Sequence, residues 1–298
     1  KDLLFMRTLT IQDLISHEFS RNIGLVSNAN QIKLCKTRVA VAGVGGVGGI
    51  HLLTLARLGI GKFTIADMDV YERANISRQF GAKHSTLGDY KTNVISNLLQ
   101  DINPTIESKI FPKGVDRENI GEFLQGADFF VDGMDFFEVE IRRELFKKAR
   151  EMGIYALTSA PLGFGSTLQV FSPQGMTFDD YFGISEEMPY LEKLAAFASG
   201  LAPRPYHLKY LDLSKVSLEN KSGPAVAPAC TLAASLVATC VVRLVAGEPV
   251  RAVPYYTQID LYRSKFRNGY LVWGGKNPLQ KLKRHIILKK FKKALAIE

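Results

Sequence analysis

Two kinds of residue in this 298-residue chain are spaced for chemistry on a phosphorylated ligand. The first are glycines: Gly43, Gly45, Gly46 and Gly48, in the run Gly43-Val-Gly45-Gly46-Val-Gly48. Lacking side chains, they permit a tight turn and let phosphate oxygens approach main-chain N–H groups. A helix opening at that point would add the partial positive charge of its N-terminus. The second are charges. Asp67 stands 19 residues after Gly48, where a carboxylate on the next strand can accept from the hydroxyls of a ribose. On these residues alone, a nicotinamide or flavin dinucleotide is the leading ligand.

The residues that follow change that reading. Asp67-Met-Asp69 leads into Asn75-Ile-Ser-Arg78-Gln79 and then Gly88-Asp-Tyr-Lys91, with Lys91 at an expected helix start. A dinucleotide has two phosphates, and the glycine loop already serves them. An added Arg78 and Lys91 suit the greater charge of a triphosphate. Farther on, Val131-Asp132-Gly133-Met134-Asp135 places Asp135 beyond another strand end. There a carboxylate faces the same crevice and could hold Mg²⁺ between phosphates. Taken singly, each charge would suit a solvated surface. Their common placement at one sheet edge is what singles them out.

The elements that must position them alternate. Short apolar, β-branched runs at 38–43, 62–67, 106–111, 127–133, 154–159 and 166–171 are expected strands. Amphipathic stretches at 47–59, 90–102, 116–125 and 136–152 are expected helices, the second stopped by Asn103-Pro104. Such alternation predicts an α/β, Rossmann-like, doubly wound and mostly parallel sheet. After Pro173 the alternation ends. Residues 172–228 hold six of the 12 prolines and are expected to form a long irregular crossover. A helix over 229–245 and two antiparallel strands, 255–263 and 269–273, complete the expected fold. The organisation read here is one domain over 1–275. It comprises a helical arm (1–37, with helix within 10–19), a core (38–172), a crossover (173–228) and a C-terminal helix with strands (229–275). A basic tail, 276–298, follows.

Composition sets the class. With 46% hydrophobic and 22% charged residues, a disordered chain is excluded. The formal charge of +9 is unevenly spread: residues 276–298 carry eight Lys or Arg and one acid, leaving +2 for the rest. Lys283 and Lys290 fall among Leu279, Leu282 and Ile286, so the tail reads as solvated or partner-docking rather than as a membrane-surface helix. The apolar stretch 225–246 contains Arg243 and reads as a buried helix, so no stable membrane insertion is expected. Cys35, Cys230 and Cys240 form no Cys-x-x-Cys pair; zinc is not expected, and reduced thiols suit a cytoplasmic protein. The five histidines, His17, His51, His84, His207 and His285, show no metal spacing.

As a set, the motifs resemble the ThiF/MoeB/HesA family, whose adenylating fold is shared with ubiquitin-activating enzymes. The resemblance runs from about residue 21 to 175 and rests on Arg21-Asn-Ile, the glycine loop, Asp67-Met-Asp69, Asn75 to Gln79, Gly88 to Lys91, Ile102-Asn-Pro104 and Met134-Asp135. It implies an ATP- and Mg²⁺-dependent adenylyltransferase, in which a carboxylate attacks the α-phosphate of ATP to give an acyl-adenylate and pyrophosphate. By resemblance, Asp67 binds the ribose, Asn75, Arg78 and Lys91 hold phosphates, and Asp69 and Gln79 belong to the nucleotide site. Asp135 would ligate Mg²⁺, and Arg21 would reach the γ-phosphate from the other subunit of a homodimer.

Three departures qualify the resemblance. The zinc-binding cysteine pairs of many relatives are absent. Residues 173–229, where several relatives carry an acyl-accepting cysteine, contain none. Cys230 is the thiol nearest a helix start, but a small buried hydrophobe in an Ala-rich helix is the preferred reading, so adenylation without a thioester is expected. Phe136 and Phe137 follow Asp135 where the family has Asn, which predicts a more apolar nucleotide edge. The implied substrate is the C-terminus of a ubiquitin-like or sulfur-carrier protein. The alternative is a small-molecule or tRNA-borne carboxylate, as for tRNA threonylcarbamoyladenosine dehydratases, with the basic tail as a possible tRNA contact. An NAD- or FAD-binding oxidoreductase and a non-catalytic nucleotide-binding relative rank behind these. Phe171, Tyr181, Phe182 and Tyr190 fit equally as apolar walls of a substrate groove or as core.

Overall fold

The structure, a computed structural model, describes residues 9–295; the first eight residues of the expected arm and the last three of the basic tail lie outside them. In chain order the elements are α1 (Ile11–Ser16), α2 (Asn28–Lys36), β1 (Arg38–Ala42), α3 (Gly48–Arg57), β2 (Lys62–Ala66), α4 (Lys91–Ile102), β3 (Glu107–Phe111), α5 (Ile120–Leu124), β4 (Phe129–Asp132) and α6 (Val139–Glu151). They continue with β5 (Tyr155–Thr158), β6 (Pro161–Leu162), β7 (Gly165–Phe171), α7 (Phe178–Phe182), α8 (Tyr190–Leu201), α9 (Ala227–Val245), β8 (Tyr255–Asp260), β9 (Lys265–Tyr270) and α10 (Pro278–Leu295).

The strands form one sheet in the order β3-β2-β1-β4-β5-β7-β8-β9, with β6 paired to β7 off that path. The first five are parallel and the rest antiparallel. This is the architecture expected from the alternating elements. The reason is visible in β1. Val39 and Val41 point to one face among Leu52, Leu55 and Ile95, while Ala40 and Ala42 point to the other, opposite the rings of Phe123, Phe130 and Phe146. A strand buried on both faces needs apolar residues at every position, and β1 and β4 have nearly that. Chain direction across the sheet reverses between β1 and β4, which opens a crevice at their carboxyl ends.

Helices α3 and α9 pack together on the first face, with α9 also against β7. α9 is, among the described residues, the helix long and apolar enough to cross a membrane, yet Ala229, Ala233, Val237 and Val241 are fully buried within this fold. That agrees with the buried-helix reading. The second face is covered by α5, α6, α7 and α8. Helix α8 corrects the expectation of an irregular crossover. The prolines that suggested irregularity flank it, Pro189 standing at its N-cap and Pro203 just beyond its end.

The basic tail, expected to be solvated or to dock a partner, lies partly against its own chain. It forms α10, which lies along α8. Lys283 donates to the Pro203 carbonyl at 2.7 Å, Arg284 donates to the Gly183 carbonyl at 3.0 Å, and Lys276 pairs with Asp180 at 3.0 Å. Gln280 is buried beneath. Leu279, Leu282 and Ile286 remain exposed on its outer side. The second C-terminal strand, expected at 269–273, runs instead over Lys265–Tyr270, paired residue for residue with β8.

Candidate active site

The glycine loop bridges β1 and α3 at the crevice. Gly43 has φ +84°, a conformation that favours glycine, and a Cβ there would lie 2.4 Å from the Gly133 carbonyl oxygen. At Gly48 a Cβ would meet the Gly43 oxygen at 1.8 Å. These two positions let α3 close onto the ends of β1 and β4. Gly45 and Gly46 are half-buried and bordered by side chains instead: Gln79 near the first, Arg78 and Cys230 near the second. A Cβ at Gly45 would be 3.7 Å from Gln79, so the loop keeps an open cradle above its backbone. Gln79 itself is 6% exposed, and its Oε1 has no partner among the described residues. It is a buried acceptor that the fold leaves unmatched beside the loop.

The charges of the next strand end converge on the same loop. Asp67, one residue past β2, accepts from Val44 N–H at 2.6 Å and from Asp69 N–H at 2.8 Å. Burial raises its pKa above the ordinary carboxylate value, opposed by the nearby Lys91 and by these N–H donors. The Lys91 ammonium sits 2.7 Å from Asp69 Oδ2 and is nearly buried, while Asp69 is exposed. Lys91 is the first residue of α4, and its N–H donates to the Asp69 carbonyl. Asn75 uses its side-chain oxygen to accept from Glu72 N–H, and its carbonyl accepts from the N–H groups of Arg78 and Gln79. That turn aims Arg78 over Gly46, with its guanidinium braced on the Ala74 carbonyl at 3.0 Å. Tyr71, buried beside Gly81 with a hydroxyl that has no partner among the described residues, has its pKa pushed up by burial and by Asp67.

Asp135 lies in the loop three residues past β4, the strand that neighbours β1, and is exposed. Its Oδ1 accepts from Phe137 N–H at 3.0 Å. No group of three or more His, Cys, Asp or Glu among the described residues could hold a metal ion by itself. A single exposed carboxylate, one residue past the Met134 backbone that abuts Gly43, suits Mg²⁺, which takes one or two carboxylates and completes its shell with phosphate oxygens and water. Phe136 and Phe137 do not line that edge as expected. Phe136 stacks on Phe197 of α8 at 5.6 Å, and Phe137 is 7% exposed, so both rings turn toward the core. Phe171, Tyr181 and Phe182 are likewise core residues, whereas Tyr190 is 40% exposed.

Two expected residues stand apart. Arg21 lies exposed in the turn Ser20–Asn22, beside Phe19, which packs on Gly59 just past the end of α3. The ten residues of α3 separate that end from the glycine loop by about 15 Å. A single chain therefore does not bring Arg21 to the loop. Cys230, the fourth residue of α9, is 1% exposed against Val47 and Ala233, and burial pushes its thiol up to about 11, against the lowering effect of Arg78. Two residues that frame the site, Arg142 and Thr158, are not singled out from sequence, and Tyr190 figures there only as an apolar wall. Arg142 is buried against Asp132 at 2.8 Å, Thr158 donates to the same carboxylate at 2.8 Å, and Tyr190 donates to the Phe137 carbonyl at 2.8 Å.

Comparison with known proteins adds a family. Residues 19–272 match the profile of the ThiF family. The chain is similar to the tRNA threonylcarbamoyladenosine dehydratase of Bacillus subtilis (strain 168), 32% identical over 135 residues, covering 44% of this chain and 53% of that protein. It is also similar to the molybdopterin-synthase adenylyltransferase of Haemophilus influenzae, 28% identical over 174 residues, or 56% and 71% of the two chains. The chain thus spans about half the length of the first of these relatives. The fold resembles the crystal structure of E. coli tRNA N6-threonylcarbamoyladenosine dehydratase, TcdA, in complex with ATP. The TM-score is 0.60 at 19% identity, covering 80% of this chain and 98% of that one.

Proposed function

The chain belongs to the ThiF family, and on that premise we propose that it is an ATP-dependent adenylyltransferase that activates a carboxylate as its acyl-adenylate. One observation supports the reading: Asp67 and Lys91 gather beside the glycine loop and Arg78 packs against Gly46, at the crevice where the strand order reverses and past whose β4 edge Asp135 follows. An oxidoreductase would need the cradle and Asp67 but has no use for the added cations.

The reaction joins two anions, so the protein's task is neutralisation and alignment. Gly45 and Gly46 admit the phosphates to main-chain N–H groups, and Asp67 accepts from the ribose. Arg78, beside Gly46, and Lys91, beside Asp67 and Asp69, offset the triphosphate charge, with Asn75 and Gln79 completing the nucleotide contacts. Asp135 would hold a Mg²⁺ ion, which supplies further charge neutralisation to the phosphates. Attack by the substrate carboxylate on the α-phosphate then releases pyrophosphate. Arg21 serves the site of a second copy in a homodimer, a reading supported by its distance from its own loop. The buried Cys230, with its raised pKa, favours adenylation without a thioester.

The substrate read here is the C-terminal carboxylate of a ubiquitin-like or sulfur-carrier protein, acted on in the cytoplasm. A tRNA-borne carboxylate is the second reading; the similarity to a tRNA threonylcarbamoyladenosine dehydratase and the exposed lysines of α10 favour it. ATP–pyrophosphate exchange with each candidate carboxylate is the test. Arg78→Ala and Asp135→Ala should abolish exchange while leaving the melting temperature unchanged. Wild-type exchange in either variant refutes the assignment. Dependence on a carrier-protein tail selects the first substrate, and dependence on tRNA the second.

A further inference from the structure

The loop between β4 and α6, which carries Asp135, is held from outside by two side chains. Arg142 donates from Nη2 to the Met134 carbonyl at 2.9 Å and the Asp135 carbonyl at 2.8 Å, and from Nη1 to the Phe136 carbonyl at 3.5 Å. Its Nε donates to Asp132 Oδ2 at 2.8 Å. The next carbonyl, of Phe137, accepts from Tyr190 Oη at 2.8 Å. Four consecutive carbonyls are therefore occupied by one arginine and one tyrosine. Arg142 is 1% exposed and Asp132 4%. A buried ion pair of this kind adds little net stability over apolar residues of the same size, so stability alone is a weak reason for it. Fixing a backbone segment is a better one, because a planar fork of donors sets the direction of several carbonyls at once.

The outer support comes from the crossover. Phe197 of α8 covers the Arg142 guanidinium at 4.6 Å and stacks on Phe136 at 5.6 Å. Tyr190 opens the same helix. The seating of α8 and the shape of the Asp135 loop are thus parts of one contact set.

We infer that Arg142 is a positioning residue that aims the Asp135 carboxylate, and that α8, through Tyr190 and Phe197, ties this aim to the docking of the crossover segment. The inference rests on the adenylation reading, since it gives Asp135 a metal–nucleotide role. Arg142 does not touch the ligand. Without it, the carbonyls of Met134, Asp135 and Phe136 lose the side-chain donor they share, and the loop carrying Asp135 is free to turn.

The test uses the full chain, mant-ATP and Mn²⁺. The readout is the Mn²⁺ concentration giving half-maximal enhancement of mant-ATP binding, set beside mant-ATP affinity in EDTA. Arg142→Lys keeps a charge for Asp132 but loses the fork. It should raise the Mn²⁺ midpoint by about tenfold or more, the size typical when the residue supporting a metal ligand is lost. Affinity in EDTA should stay within about twofold. Tyr190→Phe, which removes one donor at a half-exposed site, should raise the midpoint by about threefold. An unchanged midpoint in Arg142→Lys overturns the inference, as does an equal loss of EDTA binding, which would mark a purely structural residue. If Arg142→Lys fails to fold, Tyr190→Phe decides by the same criterion. A wild-type protein that binds mant-ATP with no metal dependence overturns this inference and leaves nucleotide binding standing. A wild-type protein that binds no nucleotide overturns both.

Discussion

His51 offers the sharpest quantitative prediction. It lies on α3, one turn behind Gly48, fully buried, with neither ring nitrogen partnered among the described residues. Burial alone lowers its pKa from 6.5 to about 3. The sign follows from where the proton goes. Above pH 6.5 the ring is neutral in both folded and unfolded chains, and the fold keeps its full stability. As pH falls below 6.5, the unfolded chain takes up a proton that the folded chain refuses until about pH 3. Stability then drops by roughly 1.4 kcal/mol per pH unit. Between pH 7.5 and 4.5 this one group removes about 3 kcal/mol, a large fraction of a typical folding free energy. His51→Leu, close in volume, removes the titration and the two unpartnered nitrogens. Urea unfolding of both proteins at pH 7.5 and 4.5 isolates the effect, because every other titrating group cancels in the difference. The variant should gain on the wild type by about 3 kcal/mol between the two pH values. A stability gap that stays constant within about 0.5 kcal/mol refutes the account of His51 as a neutral, unpartnered core residue.

Two further substitutions separate packing from ligand approach in the glycine loop. Gly48→Ala drives a Cβ to within 1.8 Å of the Gly43 oxygen, backbone against backbone, and should cost about 3 kcal/mol or more in chemical unfolding. Gly45→Ala meets nothing closer than 3.7 Å; it should change stability by less than about 0.5 kcal/mol yet weaken ATP binding by about tenfold in calorimetry. Cys230→Ala should retain pyrophosphate exchange, and native Cys230, with a pKa near 11 and 1% exposure, should resist iodoacetamide at pH 7.5. An acyl group found on Cys230 by mass spectrometry would overturn the thioester-free reading.

What the sequence makes legible is what is local. Valines and alanines alternating through β1, glycines at its end and Asp67 at the end of the next strand are neighbours in the chain as well as in space, so pattern alone finds them. Arg142 escapes that logic. It sits beside Arg143 in a helix crowded with Glu140, Glu144 and Lys148, where a charged residue looks solvated; its partners, Asp132 and the loop carbonyls, are fixed by the fold. Helix α8 was hidden by its flanking prolines, which mark its limits rather than forbid it. The mixed lysines of the tail likewise sort only once the neighbour is known: Lys283 turns inward to the Pro203 carbonyl, while Lys289, Lys290 and Lys293 stay exposed.

The docking of α10 also sets an order of assembly. Its bond from Arg284 to Gly183 spans 101 residues, and that from Lys283 to Pro203 spans 80. The five parallel strands, by contrast, are complete by Thr158. During synthesis the sheet and its glycine cradle can fold, and α8 can meet α6 and α7, before the α10 side of the crossover helix is covered. α8 gains that support only after residue 284 has been made, and α8 in turn backs the loop of Asp135. A nascent chain would therefore acquire a nucleotide cradle early and a seated crossover late. Cutting away α10 would remove not a loose basic appendage but the contact that lets the second half of the domain settle.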